Sequence, residues 1–379
     1  MPDVKQEALE LHEKLRGKIQ IAAKQEIKDA HDLAVVYTPG VGEVSSQIAN
    51  NKSLVDKYTW RKNTVAVVSD GSAVLGLGNI GPEAALPVME GKCVIFKQFA
   101  GIDAIPIVLG TQDVDEIVAT VKNLAPSFGA IQLEDISAPR CFAVETRLME
   151  SLTMPVMHDD QHGTAIVAAA GLLNALKITG KDLSAVKIVL SGAGAAGTAI
   201  AKLFVTMGAG ELLMLDSKGI IARSRTDLND EKIELATLTN RNNVSGDLMI
   251  ALQNADVFIG ISKPGLLTPD HISKMARDPV VFALANPVPE IMPDVAKAAG
   301  VAIMATGRSD FPNQINNALC YPGLFRGMLD HDVKKVTDEI KIRAATAIAG
   351  FITTPTPEKF IPSIFDQGLH EAVAESVRK

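Results

Sequence analysis

Two apolar stretches of the 379-residue sequence run directly into paired acids. Residues 130–133 lead into Glu134-Asp135, and residues 154–157 lead into His158-Asp159-Asp160. Short apolar runs bounded in this way read as buried strands. If the two strands are parallel neighbours, four carboxyls converge at one sheet edge. Carboxylates that close repel and raise one another's pKa. A divalent cation removes the conflict, and oxygen ligands suit Mg²⁺ or Mn²⁺ rather than Zn²⁺. On residue types alone, this is evenly balanced against acids that cap helices or stay solvated. His158-Asp159-Asp160-Gln161-His162 also imitates the H-E-x-x-H zinc motif, which needs both histidines on one helix face. Here Pro155 precedes a strand-like run and Gly163-Thr164 follows at once, so the pattern predicts a helix only over 164–176. His158 and His162 are accordingly read as structural groups or groups supporting the metal ligands.

Two loops fit G-x-G-x-x-G: Gly76 to Gly81 (GLGNIG) and Gly192 to Gly197 (GAGAAG). A dinucleotide loop must leave a strand and open a helix, whose free N–H groups and dipole favour the pyrophosphate. The next strand should end in an acid that reaches the ribose. The second loop meets each demand. Residues 186–190 form a strand pattern ending at Ser191, and Gly192, Gly194, Ala195, Ala196 and Gly197 make the turn. A small, apolar helical stretch follows over 198–207, then a strand over 211–215 that ends in Asp216, 19 residues past Gly197. The first loop fails these tests. The apolar stretch 64–68 ends at Ser69-Asp70, too early for Gly76 to be its turn, and Pro82 and Pro87 follow. The next predicted strand, 93–96, ends in Lys97-Gln98 rather than an acid. On physical grounds GLGNIG is a structural turn.

The elements that position these residues alternate along the whole chain. Strands are predicted at 65–68, 94–96, 105–109, 130–133 and 154–157, and in the second half at 256–259, 280–284 and 301–304. The last three lead into Ser262, Asn286-Pro287 and Thr306-Gly307, at the strand ends where doubly wound sheets bind ligands. The fold class is α/β: an N-terminal α/β domain for substrate and metal over 1–160, a Rossmann-type doubly wound parallel sheet over 161–349, and a mainly helical segment over 350–379. Composition agrees, with 47% hydrophobic and 21% charged residues. A net charge of −7 argues against a nucleic-acid surface. Cys93, Cys141 and Cys320 are widely spaced with no C-x-x-C, as expected of buried thiols in a reducing compartment. The opening residues are polar with helical apolar spacing at Val4, Ala8, Leu11 and Leu15, unlike a secretory signal. No apolar run approaches the ~18 residues of a membrane span. A cytoplasmic protein is expected.

Several motifs appear in the order seen in malic enzymes. They are Val36-Tyr37-Thr38-Pro39-Gly40-Val41-Gly42, the Asp70 to Gly81 segment DGSAVLGLGNIG, Leu133-Glu134-Asp135, HDDQHGT at 158–164, GAGAAG, Ala285-Asn286-Pro287 and Asn316-Asn317. The chain resembles the short bacterial form of that family over nearly its whole length. The resemblance implies oxidative decarboxylation of L-malate to pyruvate and CO2, with NAD⁺ or NADP⁺ and Mn²⁺ or Mg²⁺. It implies that Glu134, Asp135 and Asp160 hold the metal, that Lys92 is the catalytic base and Tyr37 the catalytic acid, and that GLGNIG belongs to the active-site side of the N-terminal domain. Asn286 and Asn317 match amides that hold substrate, and the family suggests a homodimer. Long malic enzymes carry an arginine inside the DG…LGLG segment that pairs with substrate carboxylate, and Ala73 stands at that position here. Carboxylate recognition is then left to Ser72, Asn286, Asn317, a backbone nest or a partner subunit. Asp216 favours NAD⁺ by accepting from the ribose hydroxyls, against Lys218, Arg223 and Arg225 nearby, which could pair a 2′-phosphate. Three alternatives remain: malolactic decarboxylation with bound NAD, a non-decarboxylating 2-hydroxy-acid dehydrogenase, and a non-enzymatic nucleotide sensor. The last has no need of Lys92 or the acid cluster.

Overall fold

The computed structural model describes residues 4–74 and 76–378; residues 1–3 and 379, at the ends of the expected outer segments, and Leu75 of the DGSAVLGLG motif lie outside it. The first sheet contains β1 (Thr64–Ser69), β2 (Asp103–Val108), β3 (Ala130–Leu133) and β4 (Val156–His158) in the order β2-β1-β3-β4. Every neighbouring pair is parallel. β1 reads TVAVVS and is buried at all positions, the pattern of a strand covered on both faces. Leu133 pairs with His158 across β3 and β4, so the acids following both strands emerge side by side.

The second sheet contains β5 (Lys187–Ser191), β6 (Glu211–Asp216), β7 (Gly219–Ile220), β8 (Val257–Gly260), β9 (Val280–Ala283) and β10 (Ile303–Thr306). Its order is β10-β9-β8-β5-β6-β7, parallel except for β7. Growth of the sheet reverses between β5 and β8, which makes a crevice beyond Ser191 and Gly260 at the switch point. This is the doubly wound sheet that the sequence predicts.

Three expectations are corrected. Residues 93–96 are not a strand but part of the helix Pro82–Ala100. Its buried positions, Ala85, Met89, Cys93 and Phe96, recur at helical spacing, and Pro82 sits in the first turn, where a missing N–H is harmless. The helix expected over 164–176 spans Asp159–Thr179. Gly163 is not its boundary: a Cβ there would collide with Asp159 Oδ1, so the glycine makes room for a buried carboxylate. Finally, the division at 349/350 is not where the packing divides. Helix Tyr321–Asp330 returns to the first sheet and packs on Pro82–Ala100, where Phe96 meets the rings of Tyr321 and Phe325 edge-on at 4.8 and 5.4 Å. Residues 351–368 are largely turns, and one helix, Leu369–Ser376, follows.

The helices Val4–Leu15, Ala30–Val36 and Gly40–Asn50 bury no residue, leaving Leu9, Ile21, Val35 and Tyr37 exposed. No helix among the described residues is long and apolar enough to cross a membrane. All three cysteines are buried and unpaired. Burial pushes the Cys93 and Cys141 thiols up to about 12. The native protein should therefore resist Ellman's reagent at pH 8 and react only once denatured. Rapid modification of the folded protein would overturn this packing.

Candidate active site

The parallel register of β3 and β4 delivers Glu134 and Asp135 beside the first turn of helix Asp159–Thr179. Oxygens of Glu134, Asp135 and Asp160 lie within 4.8 Å of one another. Asp135 has φ 54°, a left-handed conformation that Asp tolerates better than most residues, and its N–H donates to Asp160 Oδ2 at 2.7 Å. Gln132 Nε2 donates to Glu134 Oε2 at 2.7 Å. Burial raises the Glu134 carboxyl well above the usual range; Lys92 opposes this, while Asp160, Asp159 and Asp135 add to it. Four crowded carboxyls with one ammonium among them are an unresolved excess of negative charge. Three hard oxygen donors within this span fit Mg²⁺ or Mn²⁺.

The two histidines of the motif do other work. Glu145, buried on helix Arg140–Ser151, accepts from the His158 N–H at 2.7 Å and from Gln161 Nε2 at 3.1 Å. It also lies 3.0 Å from His162 Nε2. Burial alone would raise the Glu145 carboxyl, but His162 outweighs burial and holds it low. This network pins the turn that carries Asp160. His158 is fully buried with Nδ1 3.8 Å from Asp160 Oδ2. With His162 engaged by Glu145, the pair does not present a zinc site.

Lys92 projects from the middle of helix Pro82–Ala100. Its Nζ lies 2.7 Å from Asp159 Oδ2, 2.9 Å from Glu134 Oε1 and 4.7 Å from the centroid of the Tyr321 ring. Burial by itself would lower the ammonium's pKa; Asp159 and Glu134 outweigh that and hold it well above the ordinary lysine value. The basicity of Lys92 is thus set by how much charge its two acids retain.

A cleft of about 530 Å³ joins the two halves of the chain. Lys92, Glu134, Asp135 and Asp160 line it, and so do Ala196, Ser262, Asn286 and Asn317. Gly76 of GLGNIG also lines it: a Cβ there would stand 2.8 Å from the Asn286 carbonyl oxygen. A second cavity, of about 630 Å³, extends past Gly192 to Asp216, Lys218 and Lys232, and shares Ser262 with the cleft. The glycine loop lies where they meet. A Cβ on Gly197 would collide with the Gly192 carbonyl, whereas one on Gly194 meets no atom within 4 Å. Gly197 therefore permits helix Ala195–Thr206 to pack closely, and Gly194 leaves open space for a phosphate. Buried Glu290 ties two strand-end loops together, accepting from the N–H groups of Ser262 at 3.0 Å and Ala285 at 3.1 Å.

Three expected site residues are placed differently. Tyr37 is 66% exposed and does not line the cleft. Ser72 is also absent from the lining: its hydroxyl donates to Asp70 Oδ1 at 2.5 Å and accepts from the Ser137 N–H at 2.9 Å, which fixes the loop. Asp216 lies in the second cavity, but its carboxylate is bound by Arg225 at 2.8 and 3.0 Å and by Lys232 at 2.7 Å. Burial opposes ionisation, yet these bonds bring its pKa down to about 2. Arg223 instead donates to the Arg241 carbonyl. Ala73 lines the cleft, and Lys92 is the single cation lining it among the described residues. Sequence reasoning missed Asp159 as the partner of Lys92, together with Glu145, Glu290 and Tyr321. Asp159 had a signal, as one of the paired acids; the others are single residues whose positions only the fold reveals.

The fold and site define a nucleotide-binding enzyme scaffold with a cluster of acids facing the crevice. The family model "Malic enzyme, NAD binding domain" matches residues 161–378, and "Malic enzyme, N-terminal domain" matches 16–113 and 110–149. The chain is 52% identical over 379 residues to the bifunctional malic/malolactic enzyme of Bacillus subtilis, covering 99% of this chain and 92% of that one. It is 53% identical over 363 residues to the NAD-dependent malic enzyme of Geobacillus stearothermophilus, covering 95% and 76%. The crystal structure of the NAD-dependent malic enzyme of Thermotoga maritima superposes with a TM-score of 0.95 at 50% identity, covering 98% of each chain. The chain belongs to the malic enzyme family.

Calorimetric titration with Mn²⁺ tests the acid trio. Asp135→Ala should bind Mn²⁺ at least about tenfold more weakly, since even groups behind metal ligands are worth 10–100-fold. Unchanged Mn²⁺ affinity would remove Asp135 from the site.

Proposed function

We propose that this chain oxidises and decarboxylates L-malate to pyruvate and CO2, with NAD⁺ preferred over NADP⁺ and with Mn²⁺ or Mg²⁺ held by Glu134, Asp135 and Asp160. The observation that carries the reading is Lys92 Nζ, poised between the acid trio and a cleft continuous with the Gly192 to Gly197 loop. Lys92 reaches its neutral form when a cation beside Nζ draws Glu134 away and lowers the ammonium's pKa; the neutral amine then takes the C2 hydroxyl proton while Asp159 keeps the resulting ammonium in place. Asn286 and Asn317, which line the same cleft, offer amide N–H groups to the substrate carboxylates. When bound, the nicotinamide accepts hydride from C2, and the cation polarises the C2 oxygen and supports the charge left as CO2 departs. Asp216 opposes a 2′-phosphate while Arg225, Lys232 and Lys218 offset it, setting the preference for NAD⁺ at roughly tenfold, the equivalent of about 1.4 kcal/mol.

We further propose a homodimer in which Tyr37 enters the partner's cleft and donates the final proton to C3. Tyr37 lies outside its own cleft, in a segment whose exposed apolar side chains call for a covering surface. A second activity, malate to lactate with retained NAD, is suggested by the name of the Bacillus subtilis relative.

The deciding assay supplies malate with each cofactor, with and without Mn²⁺, and measures reduced cofactor, pyruvate and lactate together. Equimolar pyruvate and NADH, abolished by EDTA, is the expected result. Lactate without net NADH would assign the malolactic reaction instead, and NADH with oxaloacetate but no CO2 would leave a simple dehydrogenase. The dimer is tested by mixing. Lys92→Ala and Tyr37→Phe should each be nearly inactive, but hybrids formed from equal amounts should regain about a quarter of wild-type activity, because one site in each hybrid is intact. No recovery in verified hybrids would place Tyr37 in its own subunit's site.

A further inference from the structure

The ammonium of Lys92 is held on three sides. Asp159 and Glu134 supply two, at 2.7 and 2.9 Å. The third is the face of Tyr321, whose ring centroid is 4.7 Å from Nζ. Tyr321 is the first residue of helix Tyr321–Asp330 and directly follows the turn Asn317–Leu319 and Cys320. Its ring is fully buried and lines the cleft. Phe96 holds it edge-on at 4.8 Å with an interplanar angle of 66°. Phe96 stands four residues after Lys92 on the same helix, so ring and ammonium occupy one helix face and Tyr321 packs against both. The Tyr321 hydroxyl is buried and has no hydrogen-bond partner among the described residues. A buried hydroxyl left without a partner destabilises the fold, so the hydroxyl does not account for the contact; the ring does.

We infer that Tyr321 is a positioning residue for Lys92: its ring face supports the ammonium by a cation–π contact and keeps Nζ directed at the substrate when Glu134 engages the cation. The inference rests on the reading of Lys92 as the base. It also links the base to the proposed substrate amide Asn317, because Tyr321 lies only four residues beyond it. A desolvated contact of this kind is worth up to about 30-fold in an equilibrium.

The test compares Tyr321→Leu, Tyr321→Phe and Lys92→Ala in three reactions: malate oxidation, oxaloacetate reduction and Mn²⁺-dependent oxaloacetate decarboxylation. Tyr321→Leu should lower kcat of the first two by about tenfold, with malate KM and decarboxylation within about twofold of wild type. Tyr321→Phe should rescue the two redox reactions to within about threefold, and its Tm should equal or exceed that of wild type. Should the Leu variant fail to accumulate, Tyr321→Met removes the ring with a similar volume and is expected to behave as Leu. Wild-type redox rates without the ring overturn the inference. So does an equal loss in all three reactions, which marks a packing role, and so does a Phe variant as impaired as Leu, which assigns the effect to the hydroxyl. If Lys92→Ala still oxidises malate, the base assignment falls and takes this inference with it; if Lys92→Ala is inactive while Tyr321→Leu is normal, only the role of Tyr321 is lost.

Discussion

Four carboxyls and one ammonium share a nearly dry volume at the ends of two parallel strands. That crowding is the constraint on which the rest depends. Glu134 and Asp159 both pair with Lys92, and Asp135 and Asp160 crowd the same corner, with oxygens of Glu134, Asp135 and Asp160 within 4.8 Å of one another. A fold that places such a cluster inside must hold each member where a cation can span them and must keep them from swinging out to water. Glu145 does so from behind through His158, Gln161 and His162. Asp135 does so through its own backbone, with a left-handed φ that directs its N–H at Asp160. Gly163 leaves the space that Asp159 fills.

The cofactor side is built on the opposite principle: space is kept open rather than filled. Gly194 leaves a gap, Gly197 lets the helix approach, and Glu290 fixes the two loops that border the crevice. The crowded half is electrostatically tense and closely braced; the open half is a preformed receptacle. Oxidation of an alcohol requires both, because hydride leaves the carbon and the proton leaves its hydroxyl oxygen, so a hydride acceptor and a proton acceptor must flank the same group.

Much of this was legible in the residues. Strand runs ending in acids, the second glycine loop and Asp216 at the end of β6 follow from short continuous apolar runs and from local turn chemistry, which act over a few residues. Doubly wound topology followed from the alternation. What was illegible depended on longer-range facts. The segment 93–96 reads as a strand because four residues cannot distinguish the two periods; only its continuation back to Ala85 and Met89 shows the helical face. Spacing placed Asp216 as a ribose acceptor with Arg225 nearby as a counterweight; that Lys232, 16 residues on, also binds its carboxylate needed the fold. Tyr37 and Lys92 have no signature outside the family resemblance, since a single Tyr or Lys gains its role from what surrounds it. Tyr321 was invisible for the same reason.

The return of helix Tyr321–Asp330 to the first sheet makes the second sheet an insertion within the first unit. Phe96 has its aromatic partners more than 200 residues downstream, at Tyr321 and Phe325, and Asn63 receives its bond from Arg326. During synthesis, the amino-terminal sheet emerges first yet lacks one wall of its core until the closing helices leave the ribosome. The nucleotide-binding sheet waits as well: Phe282 of β9 stacks on Phe360, and Asn174 donates to the carbonyls of Ala349 and Phe360. Both sheets are therefore closed by residues that follow Thr306, so the last part of the chain to be made is the common wall of two cores.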